Sequence, residues 1–306
     1  MSASETLGER ARELLSETGR SFDAVKTYAE ALAWLRERRA VIVAVDLDLR
    51  ALALPDDALE LMELLNQRSR ETCGLWLTRA RISEEQQRLF SQGVKNFLAI
   101  DEAGELELGD LVATLDKVFS ADIFGLDRYL PEAIERVEHT LHESRERLVV
   151  ANQAEVFARG SGCHPQIAQD FAISVDELVS NAFMAPQGVK GSTRAAAPVI
   201  VRFAREGGRL GLSVTDEHGT LTATRVLASL KRCFRRSGDQ IEWKAEGAGI
   251  GLYCVFNSLQ HIVFNLSPGA RTEVIGLIEI TRSYRAYIAK PKSFNVFIAE
   301  GGARGT

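Results

Sequence analysis

The chain has 306 residues, 45% of them hydrophobic and 26% charged, with a formal net charge of −5. That length predicts two domains of ordinary size, and the composition excludes the collagen-like, disordered and disulfide-scaffold classes. The cysteines, Cys73, Cys163, Cys233 and Cys254, stand far apart with no C-x-x-C pair and no His in ligand spacing, which argues against structural zinc and for reduced thiols.

Residues 1–13 carry acids and arginines and no apolar h-region, and no apolar run approaches the ~18 to 20 residues of a membrane span. A soluble cytoplasmic protein with no membrane partner is expected. Residues 1–125 carry a charge of −8 and residues 126–306 a charge of +3. The halves therefore differ in surface, and neither is basic enough to hold nucleic acid by electrostatics alone.

The N-terminal half alternates helical and strand periods. A helix carrying Leu7, Ala11, Leu14 and Leu15 is followed by a short strand over 22–28 and a helix over 29–39. The run AVIVAVDL over 40–47 reads as a strand buried on both faces. A helix over 57–71, a strand over 74–78, a helix over 83–92, a strand over 94–100 and a helix over 108–119 complete a parallel α/β layout.

Chemistry in such sheets sits beyond the carboxyl ends of the strands, where Asp46 and Thr78 fall. The arrangement resembles the receiver domain of two-component response regulators, with Asp46 in the phospho-acceptor place and Thr78 in the hydroxyl-switch place. Two parts of that pattern are missing. No first strand ends in an acidic pair for Mg²⁺, and Ile100 or Asp101 stands where the family has a lysine. Residues 1–121 thus read as a pseudo-receiver lacking its first strand, unless Asp46 and Asp48 simply end a strand in solvent.

Residues 122–131 read as a linker, and 132–148 as a helix with Val137, Leu141 and Leu148 on one side and dense charge on the other. A linker helix over 122–148 could join the domains or pair with a copy of itself as a homodimer. A helix near 153–159, a Gly160-Ser161-Gly162 break and a longer helix over 165–184 follow. Strands over 199–204 and 210–215 form a hairpin across Glu206-Gly207-Gly208. A polar stretch, a glycine run, another helix and two more strands end the chain.

Three motifs lie on that frame. In Glu177-Leu178-Val179-Ser180-Asn181-Ala182, Glu177 and Asn181 share a helix face. A carboxylate able to orient water or accept a proton then sits beside an amide oxygen able to ligate Mg²⁺. In Val214-Thr215-Asp216-Glu217-His218-Gly219, an acid ends a strand just before a glycine. Such a carboxylate can accept the exocyclic amine of adenine, with Gly219 letting the base approach the backbone. In Gly247-Ala248-Gly249-Ile250-Gly251-Leu252, alternate glycines open a helix, which suits backbone N–H groups to phosphates. The G-x-G-x-G spacing after a polar loop is not the dinucleotide-binding fingerprint.

Together the three resemble the N, G1 and G2 boxes of the GHKL ATPase superfamily, the Bergerat fold of gyrase, MutL, histidine kinases and anti-sigma-factor serine kinases. The resemblance implies a two-layer α+β domain over 149–306 that binds ATP and Mg²⁺. It implies metal on Asn181, adenine on Asp216 and Gly219, phosphates on Gly247, Gly249, Gly251 and Leu252, support from Thr272, and Glu177 as catalytic base. Residues 220–246 would form a mobile lid, with Lys231, Arg232, Arg235 and Arg236 either meeting phosphates or forming a solvated basic face. His218 stands where the G1 box has its glycine.

The resemblance is closest to the histidine-kinase and anti-sigma-factor serine kinase branch. Within it, Glu177 matches members that hydrolyse ATP or phosphorylate serine rather than the Asn common in histidine kinases, and the helix spacing is closer to the anti-sigma-factor kinases. His142-Glu143-Ser144-Arg145 only faintly echoes a phospho-accepting histidine, since Arg147 holds the expected Pro place and one long helix makes no hairpin. The implied function is signal transduction of the bacterial type, with Mg·ATP used by a protein kinase or slow ATPase acting on a protein partner. The alternative is a non-catalytic, nucleotide-dependent interaction switch.

Overall fold

The computed structural model describes residues 12, 21, 23–47, 54–69, 71–79, 83–101, 106–120, 122–184, 194–235 and 250–299. The chain divides into two compact units, 1–119 and 120–306. No helix among the described residues is long and apolar enough to cross a membrane.

In the first unit, α1 (Tyr28–Glu37), β1 (Ile42–Leu47), α2 (Asp56–Gln67), β2 (Cys73–Thr78), α3 (Ser83–Ser91), β3 (Asn96–Ala99) and α4 (Leu108–Ser120) alternate. The strands are parallel in the order β1-β2-β3. Leu75, Leu77, Leu98, Ile100, Leu106 and Leu111 form a core cluster, with Ile42 and Leu115 packed on it.

Two expectations fail in this unit. The strand over 22–28 is absent from its described residues, because Thr27 Oγ1 accepts from Glu30 N at 3.1 Å and starts α1 at Tyr28. A Thr-x-x-Glu sequence is a helix-start signal that outweighs the short apolar run. β1 is also not buried on both faces: Ala44 is exposed and Val43 half-buried, since β1 is the terminal strand of the sheet. Its apolar run reads like a central strand's because edge and centre share β-branched composition.

The second unit opens with a short 3₁₀ turn, Leu126–Arg128. β4 (Glu135–Glu143), a second 3₁₀ turn (Ser144–Glu146), α5 (Arg147–Gly160) and α6 (Pro165–Met184) follow. The chain continues through β5 (Arg194–Glu206), β6 (Arg209–Asp216), α7 (Ala223–Arg235), α8 (Ile250–Ser258), β7 (His261–Ser267), β8 (Arg271–Glu279), α9 (Tyr284–Ala289) and β9 (Ser293–Ile298). The strand order β9-β7-β8-β6-β5-β4 is antiparallel except for the parallel pair β7/β9. This is an α/β mixed sheet with helices packed on it.

The sequence-predicted linker helix over 122–148 is thus replaced by β4, paired antiparallel with β5. Val137 and Leu141 are four apart, a spacing that serves a helix face and a strand face equally. Pairing with β5 resolves the ambiguity, and Val137, His139 and Leu141 take the inward side while Arg136, Glu138 and Thr140 alternate outward. A dimer through a linker helix has no helix to use, and His142 sits on a strand, its N–H donating to Glu146 Oε2 at 2.7 Å.

α6 has the residues and bounds expected, with Ile167, Phe171, Val175 and Leu178 buried. Rings of Phe157 on α5 and Phe171 on α6 stand 5.9 and 6.1 Å from Phe203 of β5, fixing α6 over the sheet. On the other sheet face, Gly211 of β6 makes room for the 3₁₀ segment: a Cβ there would lie 2.7 Å from Leu126 Cδ1 and from Leu130 Cδ1.

Candidate functional site

α6 carries the first pair of candidate residues. Glu177 is half-buried, and Asn181, one turn on, has a buried Nδ2 with no hydrogen-bond partner. Burial, with the neighbouring Asp176, pushes the Glu177 carboxyl above its ordinary pKa against the lowering pull of Arg147. Arg147 is held by Asp176 (Nε to Oδ1, 3.2 Å) and donates to Ser180 Oγ at 3.1 Å. α5 thereby clamps the polar face of α6. A carboxyl pushed upward is a better proton acceptor, which is the tuning that general bases need.

α8 meets that face. A Cβ on Gly251, in the first turn of α8, would collide with Glu177 Oε2. The glycine lets the Glu177 carboxylate lie against a helix N-terminus, where the macrodipole favours negative charge. Leu252 follows it, half-buried. Gly247 and Gly249 lie outside the described residues, so their place at a phosphate site stays a sequence expectation. Cys254, which the sequence reading passed over, is also near: burial and the Glu177 charge both raise its thiol pKa.

The second pair of elements is β6 and β8. Asp216 ends β6, is 7% exposed, and pairs in register with Thr272 of β8. Its Oδ1 accepts from His218 N at 2.9 Å and Gly219 N at 3.3 Å. Burial still raises the carboxyl above its ordinary pKa, since those donors and Thr272 offset only part of the desolvation. His218 Nε2 is buried without a hydrogen-bond partner, and the buried Thr272 hydroxyl lies beside the Asp216 carboxyl. An acid anchored by neutral dipoles, beside a buried hydroxyl, is suited to a neutral donor-bearing ring.

Gly219 has a reason the sequence reading did not give. It sits at φ +58, where L side chains are strained, and a Cβ would collide with Ser267 O and Ala270 N and lie 2.7 Å from Gly269 N. Gly269 N donates to Gly219 O at 3.0 Å. The glycine locks the turn after Asp216 onto the β7–β8 turn, so the altered spacing with His218 serves packing between two turns.

The stretch expected to be a lid over 220–246 contains α7. Thr222 starts it, its Oγ1 accepting from Arg225 N at 3.2 Å, and Ala223, Val226, Leu227 and Leu230 are buried. Residues 223–235 are therefore an amphipathic helix packed by its apolar face, with Lys231 on it. Arg236 and the rest of the stretch to 246 lie outside the described residues.

Behind β8 is a polar cluster that no motif announced. Glu273 is fully buried, and its Oε2 accepts from Gly125 N at 2.8 Å and Asn265 Nδ2 at 2.9 Å. The Arg271 guanidinium lies 4.4 Å from the centre of the Phe124 ring. Thr272 and Glu273 point to opposite faces, as strand alternation demands. One strand thus joins the Asp216 end of β6 to the segment that opens the unit.

In the first unit, Asp46 near the end of β1 pairs with Arg79 (3.2 Å), both partly exposed, and Thr78 is fully buried at the end of β2. No group of three or more His, Cys, Asp or Glu able to hold a metal ion occurs among the described residues.

No known family pattern matches this chain, and no curated protein does. Among solved structures it is similar to a chain in the crystal structure of the SiaB-SiaC complex from Pseudomonas aeruginosa. Sequence identity is 15% and the TM-score 0.35, with 55% of this chain and 97% of that chain covered.

Proposed function

We propose that the second unit is a GHKL ATP-binding domain of the Bergerat fold that holds Mg·ATP and acts as a protein kinase or slow ATPase on a cytoplasmic signalling partner. The first unit is its receiver-like companion. One observation carries the reading: Asp216 is buried with a raised pKa, anchored by two backbone N–H groups beside the buried Thr272 hydroxyl.

The residues fit the nucleotide on chemistry. Asp216 would accept the adenine amine, with Thr272 lending its hydroxyl. Asn181, whose buried amide has an unmet donor, would turn its oxygen to Mg²⁺. Bound Mg·ATP supplies a phosphoryl group activated for transfer. Glu177 would take the proton of the attacking hydroxyl or water, its raised pKa matching that task. The non-catalytic switch is the second reading. The contact of Glu177 with the start of α8 favours it, since the carboxylate occupies a place suited to an anion.

Labelled Mg·ATP, incubated with the purified chain with and without cell extract, separates the two. Under the kinase or ATPase reading, Glu177→Ala keeps nucleotide affinity in calorimetry and loses turnover. Asn181→Ala loses the Mg²⁺ dependence of binding. Equal turnover in wild type and Glu177→Ala removes the catalytic role and leaves the switch. Absence of nucleotide binding by the wild type removes both.

A further inference from the structure

The first turn of α8 lies against Glu177, and the other end of the helix is held by side chains from later in the chain. An α-helix leaves its last carbonyls without intrahelical partners. Val255 O accepts from Leu259 N at 3.1 Å. Asn257 O and Leu259 O both accept from Lys292 Nζ, at 2.7 and 2.6 Å, and Ser258 O between them accepts from Tyr287 Oη at 2.5 Å. Three consecutive carbonyls at the end of α8 are thus taken up by one residue of α9 and the residue that leads into β9.

Both holders are built into the fold. Tyr287 is 3% exposed, and Lys292 is half-buried with its Nζ 6.0 Å from the centre of the Phe256 ring. Phe256 of α8 packs on Phe294 of β9 with ring centres 6.1 Å apart, and a Cβ on Gly276 of β8 would collide with Leu259 Cδ1. These apolar contacts seat the end of α8 on the sheet, while the polar contacts to its carbonyls fix it along its own axis. A cation at a helix C-terminus is favoured by the macrodipole. Stability alone would still prefer an apolar side chain here. Burial lowers the Lys292 pKa to about 8 against a smaller raising pull from Asp170, so folding is penalised for holding the charge. Groups perturbed in this way cluster at functional sites.

α8 has nine residues, a rod about 13 Å long at the usual helical rise, so a shift at one end is carried to the other. We propose that Lys292 and Tyr287 are positioning residues for the nucleotide site: by fixing the C-terminal carbonyls of α8, they set how far its first turn reaches toward Glu177. The inference rests on the nucleotide reading of that site and adds a point of control at the far end of the helix. Both residues act through α8 and not on the ligand.

The test uses the full chain with Lys292→Met and Tyr287→Phe, and Lys290→Met as the control, since Lys290 is exposed and pairs with Glu279. Loss of a charged donor shared by two carbonyls should weaken Mg·ATP binding in calorimetry by about tenfold or more, and loss of the single Tyr287 donor by about threefold. Lys290→Met should bind as wild type does. Amide exchange over residues 250–258 of the ligand-free chain should quicken in Lys292→Met and Tyr287→Phe. The unfolding temperature of Lys292→Met at neutral pH should not fall with the affinity, because the buried charge leaves together with the donors. That split separates positioning from a general loosening of the fold. Tyr287→Phe, which removes one oxygen, carries the test should Lys292→Met fail to fold.

If the wild type binds Mg·ATP and both variants bind it equally well, the end of α8 is held for packing alone and the proposal is overturned. Unchanged exchange over 250–258 overturns it too, because the two side chains then do not hold the helix. A wild type that binds no nucleotide removes the reading of the site itself, and this inference with it.

Discussion

Asp46 and Asp216 each stand at the carboxyl end of a strand, and their surroundings differ in kind. Asp46 is 29% exposed by its side chain and faces the Arg79 guanidinium. Asp216 is 7% exposed, is held by the N–H groups of His218 and Gly219, and has its pKa raised. A formal cation beside Asp46 offsets its charge within the protein. Neutral dipoles around Asp216 leave the charge in place and short of solvation, so a donor brought by a ligand has more to gain there. The position of an acid at a strand end marks a candidate, and the way its charge is compensated sorts the candidates.

The largest change follows from breaking the frame of Asp216. Gly219→Val puts a side chain at φ +58 into the backbone of the facing turn, against Ser267, Gly269 and Ala270. Strain of this kind costs about 1 to 3 kcal/mol before the clash is counted. Denaturant unfolding should show a loss of more than about 3 kcal/mol for the second unit. A loss under about 1 kcal/mol would mean that the two turns are not locked together. Asp46 sits on no such paired turn in the described structure.

Asp216→Asn tests the comparison without disturbing the frame, since the amide oxygen can still accept from His218 and Gly219. Removing a charge-assisted acceptor should weaken ATP binding by about 1.5 to 3 kcal/mol in calorimetry. Stability should move the other way. Because the folded-state pKa lies above the unfolded one, folding loses stability as pH rises through that interval and does not regain it above. The ligand-free Asn variant should therefore unfold at a higher temperature than wild type at neutral pH. Unchanged affinity would remove Asp216 from the adenine site.

Much of this was legible in the sequence, for reasons that can be named. α6 is set by a twenty-residue amphipathic run between a Gly-Cys-His-Pro start and the break after Met184, so its bounds and the shared face of Glu177 and Asn181 follow from periodicity. The β5–β6 hairpin is written by Gly207-Gly208 between β-rich runs. β4 was not legible, because Val137 and Leu141 satisfy two periods and only β5 decides between them. β9 was missed because Ser293–Ile298 follows a short helix with little punctuation, and its parallel partner β7 lies far back in the chain. The burial of Glu273 and the contact of Glu177 with Gly251 are tertiary facts with no local signature.

The contrast extends to cations. Arg79 is partly exposed at its acid, whereas Lys292 is half-buried with its Nζ donating to Asn257 O at 2.7 Å and Leu259 O at 2.6 Å, at the end of α8. Burial lowers its pKa to about 8, against a smaller raising pull from Asp170. With a folded pKa below the unfolded value of ~10.4, the penalty for holding the charge is full below about 8 and fades as pH rises toward ~10.4. Wild-type stability should rise across that window relative to Lys292→Met, by at most about 1.4 kcal/mol per pH unit. Parallel stability curves for the two proteins would place Lys292 in solvent.

The smallest effect belongs to Asp46, and its smallness is the sharpest form of the comparison. A phosphoryl group brings nearly two negative charges to its acceptor. Arg79 supplies one cation there, and no cluster fit to hold a divalent ion occurs among the described residues. Attack by the carboxylate would then proceed against repulsion that one partly exposed guanidinium, screened by solvent, does not cancel. Acetyl phosphate with Mg²⁺ should add no mass to the intact chain, and Asp46→Asn should leave ATP affinity of the second unit unchanged. The first unit, residues 1–119, carries a net charge of −7, so an acidic docking surface is the expected route by which it would act, with partner affinity falling as salt rises. A stoichiometric phosphoryl adduct that vanishes in Asp46→Asn would overturn this. It would show that Arg79 and the strand end suffice for transfer, and that a neutralised acid can be a reactive one.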